Sequence, residues 1–538
     1  TNAFAARYGG GFSIAGEYGG SLDNGGERLR LIDALGEEIL DFEYNNSWYP
    51  ITDGLGFSLV VVNEQAEPDL WSSASNWRPS GYLNGAPGVA NPSFPVLAPI
   101  FLNEALTHPE LPAMDAIELY NPHETNVNIG GWFLTDDFGT PKKYRIPEGT
   151  IIPANSFLVF NETQFNPIPG TAPSFALDSD GDEVYLFSGD GTNLTGYVHG
   201  FDFGAAPVGV SFGRHVDSTG DDHFVAQSAL TLSNVNAGPL VGPIVIGEIM
   251  YHPPDELVNG QWQDNERDEY IELSNLSATA APLYDPNHRT NTWRLRDAVS
   301  YTFPTNVSLP PSGYLLLVSF DPSNDLELEA FRARNHVPAG VPIYGPWQGQ
   351  LDNSSDRVEL VKPDMPDQTD GGVPWVLVER VKYTDAAPWP AAADGLGYAL
   401  QRRVLGDYAN DPANWAASVP SAGTAYSGGE IPVITTQPTD QAVVELQPAS
   451  FSVGVQGAGP FTYAWRYNGN PIPNATSATL AIGSVQISQI GNYSVLILSA
   501  GGAALSREAS LSLQRIPMIT VQPQGVMVDP GSNVLFSV

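Results

Sequence analysis

The sequence predicts an all-β protein built as several consecutive β-sandwiches, and three observations carry that prediction. Runs of alternating apolar and polar residues recur along the chain, which is the period of a half-buried strand. No stretch keeps apolar residues at helical spacing with capping signals, so helix loses to strand throughout. Blocks of sequence also repeat in a fixed order, the mark of an array of similar modules. At 538 residues the chain is too long for one antiparallel sandwich, and a size of about 100 to 200 residues per domain gives three to five modules. The 54 glycines and 46 prolines supply tight turns while staying below the enrichment of low-complexity chains.

The repeats set the order of the elements. LDNGGERLRLID from Leu22, LDSDGDEVYLFS from Leu177 and LDNSSDRVELVK from Leu351 each read as a polar turn followed by an alternating strand. DGLGFSL from Asp53 returns as DGLGYAL from Asp394, and SNWRPS around Trp77 returns as ANWAAS around Trp415. These pairs are 341 and 338 residues apart, so they align as blocks. Upstream, PIFLNEAL from Pro99 and AIELYNP from Ala116 match PIVIGEIM from Pro243 and YIELSNL from Tyr270. Next come IPEGTIIPANSFLVF from Ile146 and FPTNVSLPPSGYLLLV from Phe303, each a Pro-bearing loop leading into an apolar strand.

This vocabulary resembles the lamin-tail domain, a β-sandwich of immunoglobulin-like fold, with GGWFLTDD from Gly130 as a further element. The resemblance covers residues 1–427. It implies the C-terminal part of one such domain in 1–92, which lacks the opening strands, a complete one in 98–240, and a third in 243–427. The third carries NTWRLRD from Asn291 in place of the GW segment and has insertions around Trp262 and Asp367.

From Pro432 the vocabulary changes. PVITTQPTDQAVVELQPASFSVGVQGAGPFTYAWRYNG reads as strands A, B and C of an immunoglobulin-type sandwich, with Trp465 at the core position of strand C. GNYSVLI places Tyr493 at the tyrosine corner, and Val453 and Val495 stand where the family often has its disulfide. The segment resembles the bacterial, I-set-type branch of these repeats and implies one module in 432–515. PMITVQPQ from Pro517 opens a second in 516–538, with candidate strands ITVQPQGVMV and NVLFSV. The expected arrangement is beads on a string, and both ends of the chain read as cut.

Composition narrows the function classes. Sixty acidic against 23 basic residues give a net charge of −37, which repels phosphate backbones and anionic head groups, so neither nucleic acid nor membrane insertion is expected. With no cysteine there are no disulfides, thiolate metal sites or thiol nucleophile, and each module must be held by its core. No apolar run of about 18 residues and no signal peptide are present. No HExxH, GxSxG, phosphate loop or paired-acid signature in a supporting frame is found, and the chain is read as not an enzyme.

The candidate metal ligands are Asp178, Asp180, Asp182 and Glu183, alternate carboxylates on a turn that could converge on Ca2+, the one cofactor the sequence suggests. The competing reading is a solvated hairpin turn. Asp217, Asp221 and Asp222 form a similar cluster, as do Asp364, Asp367 and Asp370. His108 and His252 follow the opening strand in matching contexts, LTHPE and MYHPP, and read as turn residues before Pro rather than as metal or acid–base groups. Trp347, Trp375 and Trp389 are candidates for an exposed sugar platform. Trp389 lies in APWP, whose first-copy counterpart is SWYP around Trp48, which favours a packing role.

The resemblances imply extracellular, non-catalytic modules of a secreted bacterial surface protein that space, display or adhere. Two alternatives stand beside this. One is accessory domains of an exported hydrolase, phosphoesterase or kinase-like enzyme whose catalytic domain lies outside this stretch; the other is carbohydrate-binding modules. The expected partner is an extracellular protein or polysaccharide.

Overall fold

The computed structural model describes residues 2–9, 11, 13–89, 97–366, 371–426, 428–514 and 521–537. The chain divides into two compact units, residues 1–240 with 363–377, and residues 241–362 with 378–538. It is all-β, made of tandem immunoglobulin-like sandwiches, and among the described residues only three α-helices occur.

In the first unit, the strand Phe101–Leu106 pairs antiparallel with Ala116–Asn121 and with Ser211–Val216. Ser156–Asn161 and Asp222–Ala226 complete this five-stranded sheet at its edges. A facing sheet is formed by Leu194–Gly204, Gly181–Gly189, Phe133–Thr135 and Tyr144–Arg145, in that order. Between them lie Leu102, Ile117, Leu119, Trp132, Leu134, Phe160, Val184 and Leu186, all buried. The strand periodicity works because inward side chains of both sheets meet in one dry layer. Residues 22–80 form two separate hairpins, Gly26–Ile32 with Glu38–Asn45 and Leu59–Val61 with Trp77–Pro79.

The second unit repeats the same order. Tyr314–Val318, Tyr270–Asn275, Ile244–Met250, Ala399–Arg402 and Trp415–Ser418 are neighbours in one sheet. Trp375–Thr384, Ser355–Pro363, Arg294–Asp297 and Val299–Thr302 are neighbours in the other. The insertion around Trp262 is a hairpin, Glu256–Val258 with Gln261–Gln263. Its turn residues Asn259 and Gly260 both have positive φ, 53° and 82°, as a tight Asn-Gly hairpin turn requires.

Residues 433–513 form the immunoglobulin-type part, with Thr462–Tyr467 paired to Gly491–Ser499. Trp465 is fully buried among Phe451, Val453, Tyr493, Val495 and Ile497, and its indole N–H donates to Ser477 O at 2.8 Å. Tyr493 donates its hydroxyl to Gln489 O at 2.7 Å, the backbone bond expected of a tyrosine corner.

Four features differ from expectation. Asp325–Arg334 is a helix, capped by Asn324, with acids in its first turn, arginines in its last, and Phe331 buried. Those end charges suit the helix dipole; its single buried residue explains why no apolar period announces it. Asn2–Tyr8 and Glu162–Phe165 are shorter helices. The string of beads is joined where Ala417 pairs with Ala503, which links the third repeat's sheet to the immunoglobulin-type sheet, and Leu496 and Ala503 share a buried core with Trp389 and Trp415. Residues 521–537 form no strand and are exposed throughout; a pair of short strands without a packed face gains too little burial to order. The start of the expected strand ITVQPQGVMV and the end of NVLFSV lie outside the described residues.

Candidate functional site

The repeated motifs NEAL, IELYNP, GEIM and YIELSNL place carboxylates where alternation alone would put them in solvent, yet all four glutamates are buried. Glu104 and Glu118 are cross-strand partners, as are Glu248 and Glu272, and none is more than 3 % exposed. Each pair faces a returning segment of its own chain. Glu104 accepts from Ser211 Oγ at 2.5 Å, Thr231 N at 3.0 Å and Thr231 Oγ1 at 2.9 Å. Glu118 accepts from Asn103 Nδ2 at 2.8 Å and from the Ser233 amide. In the next repeat Glu248 accepts from Tyr270 OH at 2.6 Å, Gln401 Nε2 at 3.0 Å and the Ser421 amide at 3.0 Å. Glu272 accepts from the Gly423 amide at 2.6 Å.

Burying carboxylates side by side disfavours their ionised forms. Burial pushes Glu118 up to about 7, and it raises Glu248 and Glu272 as well. Two further motif residues follow the same logic. Asp115, pushed by burial to about 6, accepts from Leu177 N at 3.0 Å. Glu269, pushed by burial to about 8, stands in the corresponding place against Leu351 N at 3.5 Å. The motif asparagines match bond for bond: Asn121 Nδ2 donates to Thr125 O, Ile152 O and Pro153 O, and Asn275 Nδ2 to Thr279 O, Leu309 O and Pro310 O. These polar groups hold the sandwich to its loops.

The polar turn behaves alike in all three copies. The backbone amides of Asp23, Asp178 and Asp352 donate to the carboxylates of Glu27, Asp182 and Asp356, at 3.0, 3.0 and 3.1 Å. The same three aspartates each accept the amide two residues on, at 2.7, 2.8 and 2.7 Å. Asp180 and Glu183 sit on this turn as well, and Glu183 accepts the Phe138 amide. The carboxylate oxygens of Asp178, Asp182 and Glu183 are thus engaged by backbone N–H groups, which is what a side-chain-capped turn needs.

The remaining candidates are placed as follows. Asp217 receives His223 Nε2 at 2.8 Å, and Asp222 pairs with Arg214 at 2.7 Å. Asp364 receives the Met365 amide, while Asp367 and Asp370 lie outside the described residues. His108 Nδ1 is 2.8 Å from Ala206 O, as suits a turn residue. His252 is different: its Nδ1 is 2.5 Å from Asp394 Oδ1, and its Nε2 is 3.7 Å from Asp255 Oδ1. Trp347 and Trp389 are buried, as packing residues are, and offer no exposed face for the alternative of a sugar platform; Trp375 is half-buried. Trp389 packs on Trp415 at 6.1 Å, and its counterpart Trp48 packs on Trp77 at 6.3 Å. Trp415 and Trp77 each donate their indole N–H to a carbonyl six residues upstream.

The Lamin Tail Domain family model matches residues 96–200. Roundabout homolog 3 of Homo sapiens is 29% identical over 136 residues, 24% of this chain and 10% of that protein. Endoglucanase C of Cellulomonas fimi is 26% identical over 133 residues, 24% of this chain and 12% of that protein. The chain thus spans about a tenth of the length of these relatives. Among solved structures, titin domain M4 in its trigonal form is 24% identical with a TM-score of 0.15, covering 15% of this chain and 95% of that one. The tandem immunoglobulin repeats of Dlar are 15% identical with a TM-score of 0.17, covering 30% and 88%.

Proposed function

We propose that this chain is a run of non-catalytic modules that space, display or attach partners outside a bacterial cell. What carries the reading is how the motif residues use their polar groups: the paired glutamates are engaged by side-chain and backbone donors of their own chain, and the asparagines by backbone carbonyls. A catalytic carboxylate pair needs an open side where a substrate's proton comes within hydrogen-bond reach. The cavity beside Glu248 and Glu272 holds about 10 Å3, roughly the room of one water. The cysteine-free composition fits exported modules of bacterial type, each held by its own core. Among the described residues, no helix is long and apolar enough to cross a membrane.

The similarity to Endoglucanase C favours a second reading, in which these modules accompany an exported polysaccharide-degrading enzyme. Two measurements decide between them. Antibodies against residues 98–240 should label intact cells or culture medium of the source bacterium, and label seen only after lysis contradicts an outside location. Retention of the purified chain on insoluble cellulose would shift the weight to the second reading, whereas passage through such a column supports the first.

A further inference from the structure

The insertion of the third repeat brings together side chains that the second repeat does not have. Among the described residues, His252, Asp255 and Asp264 offer ligand atoms that all lie within 4.8 Å of one another. We propose that His252 Nε2, Asp255 and Asp264 bind a divalent cation of the Zn2+ or Mn2+ type, with Asp394 fixing the imidazole from behind.

Three observations support a site rather than a chance gathering of acids. The first is orientation. Asp394 holds Nδ1 at 2.5 Å, which leaves Nε2 directed to the carboxylates, and a carboxylate behind a ligating imidazole is the usual way such a ring is fixed and made more basic. Gly395 leaves room for the ring, since a Cβ there would sit 3.1 Å from its Cε1. The second is a surplus of acceptors. Asn265 Oδ1 and Asn353 Oδ1 are buried without a hydrogen-bond partner. Asn265 is the chain neighbour of Asp264, and Asn353 donates to Asp264 Oδ2 at 2.9 Å. Buried acceptors ordinarily find donors, and these two unsatisfied oxygens belong to the residues that adjoin Asp264 in the chain and by hydrogen bond.

The third is the internal comparison. In the second repeat His108 turns Nδ1 to a backbone carbonyl, Ala206 O, where the third repeat has the Asp394 carboxylate. The segment between His108 and Asp115 carries only Glu110 as an acid, whereas the longer segment after His252 adds both Asp255 and Asp264. Ligand atoms about 2.0 to 2.2 Å from a first-row cation sit about 3 to 3.4 Å apart, so a contraction of about 1 Å by exposed, rotatable aspartates closes the set. One imidazole with carboxylates suits Zn2+ or Mn2+, while Ca2+ favours an all-oxygen shell.

The test is isothermal titration of the full chain with Zn2+, Mn2+ and Ca2+. About one equivalent of Zn2+ or Mn2+ should bind. Asp255→Asn and Asp264→Asn should each weaken binding by about tenfold or more, and Asp394→Asn by about 10- to 100-fold, the usual effect of losing a carboxylate behind the ligand. His252→Gln should abolish it, with unchanged circular dichroism showing that the fold persists; Asp255, half exposed on the surface, gives a variant without folding cost. No binding of either metal overturns the proposal, as does binding that survives both aspartate variants. Ca2+ binding that persists in His252→Gln overturns the imidazole ligand.

Discussion

Replacing Glu118 by glutamine should change how the second repeat's stability depends on pH. Glu118 is fully buried beside Glu104, its cross-strand partner, and burial holds its carboxyl at about 7 against an ordinary 4.5. The folded state therefore keeps a proton that the unfolded chain releases. Between about pH 4.5 and 7 the native state binds more protons than the unfolded state, so stability falls as pH rises and levels off above 7. A shift of this size corresponds to about 3 kcal/mol lost across that window, at about 1.4 kcal/mol per unit. Glutamine removes the titration but presents an NH2 where one carboxylate oxygen accepted. One of the donors Asn103 Nδ2 and Ser233 N is then unpaired, a pH-independent cost of about 1 to 3 kcal/mol. The variant should thus be less stable than the parent at pH 4 and level with it or more stable at pH 8. Urea unfolding read by hydrogen exchange on peptides covering Ala116–Asn121, at both pH values, measures the difference. Parallel pH profiles for parent and variant would show that Glu118 ionises in the ordinary range and that the pairing of buried carboxylates is misread.

Three further outcomes follow from named contacts. Trp465→Ala should lower the stability of the immunoglobulin-type module by about 3 to 5 kcal/mol, the loss usual for a fully buried aromatic; an unmoved calorimetric transition would contradict its core position. Asn121→Ala and Asn275→Ala each remove a side chain that serves three backbone carbonyls, and should destabilise their modules by about 2 to 4 kcal/mol, with Asn→Asp no better because it cannot donate. Asp180→Ala with Asp182→Ala should lower thermal stability slightly and leave Ca2+ titration heats unchanged; loss of a measurable heat on substitution would instead establish the turn as a cation site.

Much of the fold was legible because its cause is local. The run AIELYNP and the alternation of FSVGV and YSVLI report a strand's own faces, and the repeats report the order in which strands follow. Trp465 and Tyr493 were legible because a large aromatic in each of those strands has few other uses. The buried glutamates were not. Glu104 and Glu118 sit in strands whose pattern gives no hint that their face is covered, since the covering groups Thr231 and Ser233 come from 127 and 115 residues away. Glu248 and Glu272 are covered from Ser421 and Gly423 in the same manner. The signal that could have found them is the recurrence of Glu itself at one place in both copies, on strands otherwise apolar. His252 was read as a turn residue, and its partner Asp394 lies 142 residues on, beyond the reach of any spacing argument. The packing of Trp389 was legible from the repeat itself, because APWP matches SWYP around Trp48 and both tryptophans pack on the tryptophan of the following motif.

On the function proposed above, the polar residues of the repeated motifs serve architecture and not turnover. The most direct test is an activity screen of the purified chain against glycosidic, phosphoester, ester and peptide substrates, alongside Glu118→Gln, Glu248→Gln and His252→Gln, each checked for retained fold. No turnover by the parent chain beyond that of the buffer is expected. Turnover by the parent that a single one of these substitutions abolishes, with the fold intact, would contradict that proposal.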